Sequence, residues 1–242
     1  MQQPKHRFFA PPEAVTAGRV ALGEEDARHA GKVLRLNEGD RILVVDGAGA
    51  THEVVLETVS GKQVVGEILS TRQDVGEPQC ELHIALAVLH QPARWETFLE
   101  KAVEIGCTRI TPLLTARTQQ GRLKARRLEN IMISALKQSE RSRLPQLDEP
   151  TPLDEVLGLG GSLRLICHEA LTDGSTLADL LSNKESLSGA RRVLIGPEGG
   201  FTDEEVERAR AAGWTAVWLG ERRLRAETAA MLSAAVLSQW DG

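Results

Sequence analysis

The chain of 242 residues contains no tyrosine, four phenylalanines and four tryptophans. An aromatic platform for stacking nucleic-acid bases is therefore not visible in it. Cysteine is also scarce. Cys80, Cys107 and Cys167 are odd in number and far apart, which argues against a disulfide framework and against any C-x-x-C metal or redox pair. Each is read as a small buried apolar residue. The six histidines show no H-x-x-x-H spacing, so no metal is expected. No apolar run reaches the roughly 18 residues that a membrane helix needs. The opening MQQPKHRFFAPPE lacks the apolar segment of a secretion signal, and a cytoplasmic location is expected. Two phosphate-binding signatures are missing as well: no G-x-G-x-x-G opens a helix after a strand, and there is no G-x-x-x-x-G-K-[ST] loop. VVDGAGA (44–50) imitates a glycine loop, but THEVVLETV follows it and alternates like a strand. It is read as a hairpin turn.

What is present is ordinary for a soluble globular protein: 41% hydrophobic and 26% charged residues, with a net charge of −5. That balance opposes indiscriminate coating of nucleic acid but leaves room for a local basic face. Residues 1–72 read as β. Alternation over 41–69 is broken by DGAG (46–49) and Ser60-Gly61-Lys62, with one short helix at 24–36, and a compact, mostly antiparallel barrel is expected. Gly and Pro within 73–80 mark a domain boundary. From residue 81 strands alternate with helices. Strands are predicted at 81–89, 109–115, 163–167, 191–196 and 215–220. Helices are predicted at 92–106, 122–141, 176–182, 202–213 and 226–240. This is an α/β pattern with a mostly parallel sheet covered on both faces.

Three segments can carry chemistry. In LIGPEGGFTDEE (194–205) a strand ends at Gly196. The turn Pro197, Glu198, Gly199 and Gly200 leads into a helix capped by Thr202 and Glu205. Ligands of open α/β sheets bind beyond the carboxyl ends of strands, although an ordinary strand-to-helix turn would look the same. In WLGERRLRAETAAM (218–231), Arg222, Arg223 and Arg225 precede Glu227 and Thr228. They fit either a site for a polar or anionic substrate or a solvated turn. Third, Arg117, Arg122, Lys124, Arg126, Arg127, Lys137, Arg141 and Arg143 are opposed locally only by Glu129 and Glu140, eight minus two giving +6. The choice there lies between a phosphate-binding face and a merely soluble helix.

IGPEGGFTDEE (195–205) followed by LGERRLRAETA (219–229) resembles the paired C-terminal motifs of the RsmE family, the 16S rRNA (uridine-N3) methyltransferases of the SPOUT superfamily. EKAVEIGCTRITPL (100–113), ALKQSER (135–141), HRFF (6–9), HAGKVLRLNEGD (29–40) and DGAG (46–49) agree in order, so the resemblance spans nearly the whole chain. It departs at Arg223, where the family usually has isoleucine, and at Lys137, where it often has glutamate.

The resemblance implies a PUA-like β-barrel RNA-binding domain at 1–72 and, at 73–242, a SPOUT α/β-knotted domain with a deep trefoil knot. It implies a homodimer that uses S-adenosyl-L-methionine to methylate N3 of a uridine in 16S rRNA of the small ribosomal subunit. By the same resemblance, His168, Glu169, Gly196, Pro197, Glu198, Gly199, Gly200, Leu219, Gly220, Leu224, Arg225 and Ala226 would hold the cofactor. Arg7, Lys32, Arg35, Arg122, Arg126, Arg127, Lys137, Arg141 and Arg143 would hold RNA. Uridine N3 must lose a proton to accept a methyl group, so Glu198 and Glu227 are candidate bases and Arg225 the candidate electrostatic partner. Alternatives are another SPOUT enzyme, acting on tRNA or a ribose 2′-hydroxyl, and a catalytically silent RNA-binding ribosome-assembly protein.

Overall fold

The structure, a computed structural model, describes residues 6–60, 62–119, 121–169, 176–177 and 189–239. The chain forms two compact units, one of residues 1–77 with 133–144, the other of 78–132 with 145–242.

In the first unit, β1 (Arg7–Phe9), β2 (Val15–Thr16), β3 (Arg19–Ala21), β4 (Arg41–Val45), β5 (Ala50–Val59) and β6 (Val64–Gln73) form one sheet in the order β1-β4-β5-β6-β3-β2. β1 pairs with β4 in parallel and the other pairs are antiparallel. Alternation buries Ile42 and Val44 from β4, with Val54 and Leu56 from β5, over a core completed by Phe8, Val20 and Val64. The short helix α1 (Glu24–Arg28) and the π-turn after it add Ala27 and Ala30 to that core. The DGAG turn closes on the Asp46 carboxylate, which accepts the amides of Ala48 and Ala50 at 2.8 and 2.9 Å. Gly47 and Gly49 take positive φ there, +75° and +117°, which side chains resist. The hairpin reading of 44–50 is thus what the backbone shows.

Residues 133–144 join this unit through Glu77. Its carboxylate accepts the Arg141 guanidinium at 2.8 Å and the backbone amides of Ser142 and Arg143 at 2.7 and 2.8 Å.

The second unit carries β7 (Leu82–Ala87), α2 (Pro92–Ile105), β8 (Arg109–Leu114), α3 (Ala125–Gln138), β9 (Gln146–Leu147), β10 (Thr151–Pro152), α4 (Leu153–Leu157), β11 (Leu163–Cys167), β12 (Arg191–Ile195), α5 (Asp203–Ala211), β13 (Thr215–Val217) and α6 (Ala226–Ser238). α3 divides: its residues 125–132 belong here and 133–138 to the first unit. The sheet order is β10-β8-β7-β12-β11-β13, β9 also pairs with β8, and every pair is parallel. Every residue of β7 and β12 is buried, as expected of central strands covered on both faces. One face carries α4 and α5, whose Leu153, Val156, Leu157, Val206 and Ala209 pack on Ala85, Leu113, Ile166 and Leu194. α6 packs on β7, β12 and α2.

Among the described residues seven strands stand where five were expected, because β9 and β10 are two residues each and too short to show a period. α3 begins and ends about a turn inside its expected span, and β13 stops at Val217 instead of residue 220. The helix expected over 176–182 lies, apart from 176–177, outside the described residues. α2 matches its pattern closely: Pro92 is at its start, and Trp95, Phe98, Leu99, Ala102 and Val103 are its buried face.

Candidate functional site

Three parallel strands bring the two glycine-bearing turns to one edge. β11 lies between β12 and β13, and Cys167 is level with Ile195 on one side and Val217 on the other. Loops beginning at His168, Gly196 and Trp218 therefore leave the sheet at the same carboxyl edge, where open α/β sheets bind ligands. With a strand spacing of about 4.8 Å, β12 and β13 sit roughly 10 Å apart there. The His168 amide donates to the Val217 carbonyl at 3.0 Å, and Glu169 faces Arg223 at 3.6 Å across the exposed surface.

The 196–200 turn is shaped by its glycines and by remote partners. A Cβ on Gly196 would meet the backbone of Gly200 and Phe201 at 3.0 Å, so only glycine allows the turn to fold back so tightly. Pro197 is buried, and its carbonyl accepts the Gly200 amide at 2.8 Å. Gly200 has φ +68°. Arg117, after β8, donates to the Gly199 carbonyl at 2.7 Å and the Phe201 carbonyl at 3.2 Å. The predicted capping box is complete: Thr202 Oγ1 accepts the Glu205 amide at 3.2 Å, and Glu205 accepts the Thr202 amide at 2.8 Å. The second Glu205 oxygen accepts the Ala116 amide at 2.7 Å. Sequence reading counted Arg117 only as one charge of the basic stretch; its role here comes from a contact 82 residues away.

On the other turn, Leu219 and Leu224 are half-buried, while Gly220, Arg222, Arg223 and Arg225 are exposed. Arg225 is the N-cap of α6, its carbonyl accepting the Ala229 amide at 2.8 Å. Ala226 and Glu227 are buried behind it. Glu198 is exposed. Glu227 Oε1 faces Arg94 Nε at 3.8 Å, and Glu227 Oε2 is buried with no hydrogen-bond partner among the described residues. Arg94 left no signal in the sequence, because it looks like any cation in a helical first turn. Cys167 faces Ser233 at 3.8 Å, and burial pushes its thiol up to about 12. Among the described residues no cluster of three His, Cys, Asp or Glu is placed to hold a metal.

The backbone at Gly200 and Gly220, with open space where a side chain would stand, suits a ligand that approaches the main chain closely, and Glu227, seven residues after Gly220, keeps a carboxylate oxygen unpaired among the described residues. These features fit a small cofactor with polar edges, held largely by backbone.

The basic stretch looks different once folded. Arg127 makes two bonds to Glu96, at 2.6 and 2.7 Å; Lys137 pairs with Asp26 at 3.0 Å; Arg143 pairs with Asp74. Arg141 is 2% exposed and paired with Glu77. As a candidate RNA contact it is thus already engaged by Glu77, unlike the exposed cations of the same stretch. The sequence-local count of +6 omitted these acids because they lie 31 to 111 residues away. Among the described residues no carboxylate pairs with Arg122, Lys124 or Arg126, and all three are exposed. In the first unit Lys32 and Arg35 are exposed. Arg7 and Lys137 line a cleft of about 400 Å³ with His6, His29, Ser134 and Glu140.

Comparison with known proteins agrees with this architecture. A family described as an RNA methyltransferase domain matches residues 76–238, and one described as an RNA methyltransferase PUA domain matches 22–69. Ribosomal RNA small subunit methyltransferase E of Synechocystis is 32% identical, over 96% of this chain and 77% of that one. The structure of its namesake from Neisseria gonorrhoeae, bound to S-adenosyl methionine, superposes with a TM-score of 0.84 at 30% identity, covering 97% of each chain. A Legionella pneumophila methyltransferase in complex with the same cofactor superposes with a TM-score of 0.82 at 32% identity, covering 96% of each. With its sheet order, its paired glycine turns and these relatives taken together, the chain belongs to the ribosomal RNA small subunit methyltransferase E family.

Proposed function

We propose that the protein transfers a methyl group from S-adenosyl-L-methionine to N3 of a uridine in 16S rRNA of the small ribosomal subunit, as a cytoplasmic homodimer. The observation that carries this reading is the register of β11, β12 and β13, which starts all three candidate loops from one edge. His168, Glu169, residues 196–200, Leu219, Gly220, Leu224, Arg225 and Ala226 would hold the cofactor, the chain threading a trefoil knot around them. Bound there, S-adenosylmethionine supplies a methyl group already activated by the sulfonium charge.

The chain's own task is to align the acceptor and handle its proton, and alignment alone can contribute several kcal/mol. Uridine N3–H needs an acceptor, and Glu227 Oε2 suits that role better than exposed Glu198 because it is buried and unpaired. Arg225, exposed at the N-cap of α6, would stabilise the negative charge that the ring gains on losing its proton. Lys32, Arg35, Arg122 and Arg126 would hold RNA phosphates, and Arg7, Arg127, Lys137 and Arg143 would assist once their present partners give way.

Nucleoside analysis of ribosomal RNA from cells lacking the protein tests this directly. Loss of 3-methyluridine from small-subunit RNA, restored by adding back the wild-type chain, is the expected result. Intact 3-methyluridine, or loss of a tRNA or ribose methylation instead, would overturn it.

A further inference from the structure

Among the described residues only two buried side-chain oxygens lack a hydrogen-bond partner, and one is Glu227 Oε2. An unsatisfied buried carboxylate oxygen is costly, so it calls for an explanation. The other oxygen is anchored only electrostatically: Arg94 Nε stands 3.8 Å away, inside ion-pairing range but beyond a hydrogen bond. Carboxylates that merely tie elements together behave differently here. Glu96 grips Arg127 with both oxygens, and Glu77 spends both of its oxygens on Arg141, Ser142 and Arg143. The placement of Arg94 is also informative. It lies in the first turn of α2, the helix that follows β7, and Leu86 of β7 is level with Ile195 of β12. α2 therefore begins at the edge from which the 196–200 loop departs, and it packs on α6.

We infer that Arg94 is a positioning residue for methyl transfer: it turns Glu227 by its Oε1 so that Oε2 is presented to a hydrogen-bond donor of the substrate, the N–H of the target base. The inference rests on the function proposed above and names a residue outside both motif segments. Arg94 acts through Glu227 and touches neither cofactor nor RNA.

The test compares R94Q, R94K, E227Q and the R94Q/E227Q pair, using the purified 242-residue protein and small-subunit RNA. It measures kcat, KM for RNA, S-adenosylmethionine affinity by calorimetry, and Tm. R94Q should lower kcat by about tenfold or more, with KM and cofactor affinity within about twofold of wild type. R94K should restore most of the loss, because a cation in that place still orients the carboxylate. The double variant should be within about twofold of E227Q alone, as expected when one residue acts through the other. Wild-type kcat in R94Q, no rescue by R94K, or losses that multiply in the double variant would each overturn the inference. If R94Q does not fold, the comparison of R94K with E227Q and wild type carries the test: R94K near wild type supports the inference, and R94K as slow as E227Q overturns it. A wild-type protein that methylates no small-subunit RNA would sink the functional reading itself, an outcome distinct from an active wild type indifferent to Arg94.

Discussion

Arg225 occupies an N-cap position normally favoured by Ser, Thr, Asp or Asn, and its side chain makes no capping bond. Its side chain is therefore spare for substrate. Arg225→Ala should lower kcat by roughly 100-fold, the usual order for one preorganised electrostatic contact. Its thermal unfolding should stay close to wild type, and undiminished turnover would remove Arg225 from the mechanism. His83 shows the opposite use of a polar residue. It is buried in β7 between Thr111, at 2.7 Å, and Arg192, at 3.2 Å. Asp148 accepts the Thr111 hydroxyl. If that hydroxyl donates to Asp148, the Thr111 oxygen takes the proton of His83 Nε2, and His83 Nδ1 accepts from Arg192. Burial, aided by Arg109 and Arg192, pushes His83 down to about 3 from its usual 6.5. Because the folded value is depressed, the unfolded chain takes up a proton first on acidification. Stability should be full above about pH 6.5 and fall toward about pH 3, by on the order of a few kcal/mol. Burial opposes ionisation of Asp148, but hydrogen bonds from Thr111, Arg109 and Gln146 outweigh it and hold its carboxyl below the usual range. That adds a loss of the same sign at the acid end. Urea unfolding across this range checks the prediction, and a folded His83→Gln variant should show a flatter slope between pH 6.5 and 4.

Helix α5 is anchored at its start by two acceptors with separate jobs. Thr202 caps the helix, whereas Glu205 also ties the loop after β8 to it through the Ala116 amide. Thr202→Ala should cost about 1 kcal/mol in denaturant unfolding. Glu205→Ala should cost more, on the order of 2–3 kcal/mol, because it leaves both the Thr202 and the Ala116 amides without their acceptor. Equal losses would show that the Ala116 contact contributes nothing. The entry to α3 separates cations by partner. Reversing Arg122, Lys124 and Arg126 to Glu should weaken RNA binding and flatten the salt dependence, by about 0.7–0.9 in log–log slope for each phosphate contact removed. Arg141→Ala should instead destabilise the first unit, because it breaks a buried pair. RNA affinity unchanged by the triple reversal would exclude this face.

Most elements were legible in advance for a local reason. Periods of 2 and 3.6 residues, together with Pro92, Thr202 and the DGAG turn, are recorded within a dozen residues of the structure they specify. β9 and β10 were not legible, since two residues carry no period. The assignment of residues 133–144 to the first unit was not legible either, since it depends on Glu77, 64 to 66 residues away. The candidate site divides along the same line. Its glycines and arginines stand out in the chain because special backbone and clustered charge are properties of short segments. Local structure was thus readable from the residues alone wherever spacing carried it: the two turns, the capped helix, the alternating sheet. Folding alone decided which charges are spent and which remain. Arg141 is buried on Glu77, Arg127 is held by Glu96, and Glu227 meets Arg94 at one oxygen. Electrostatic partnership depends on distance through space, and the parallel sheet brings together groups that lie far apart along the chain.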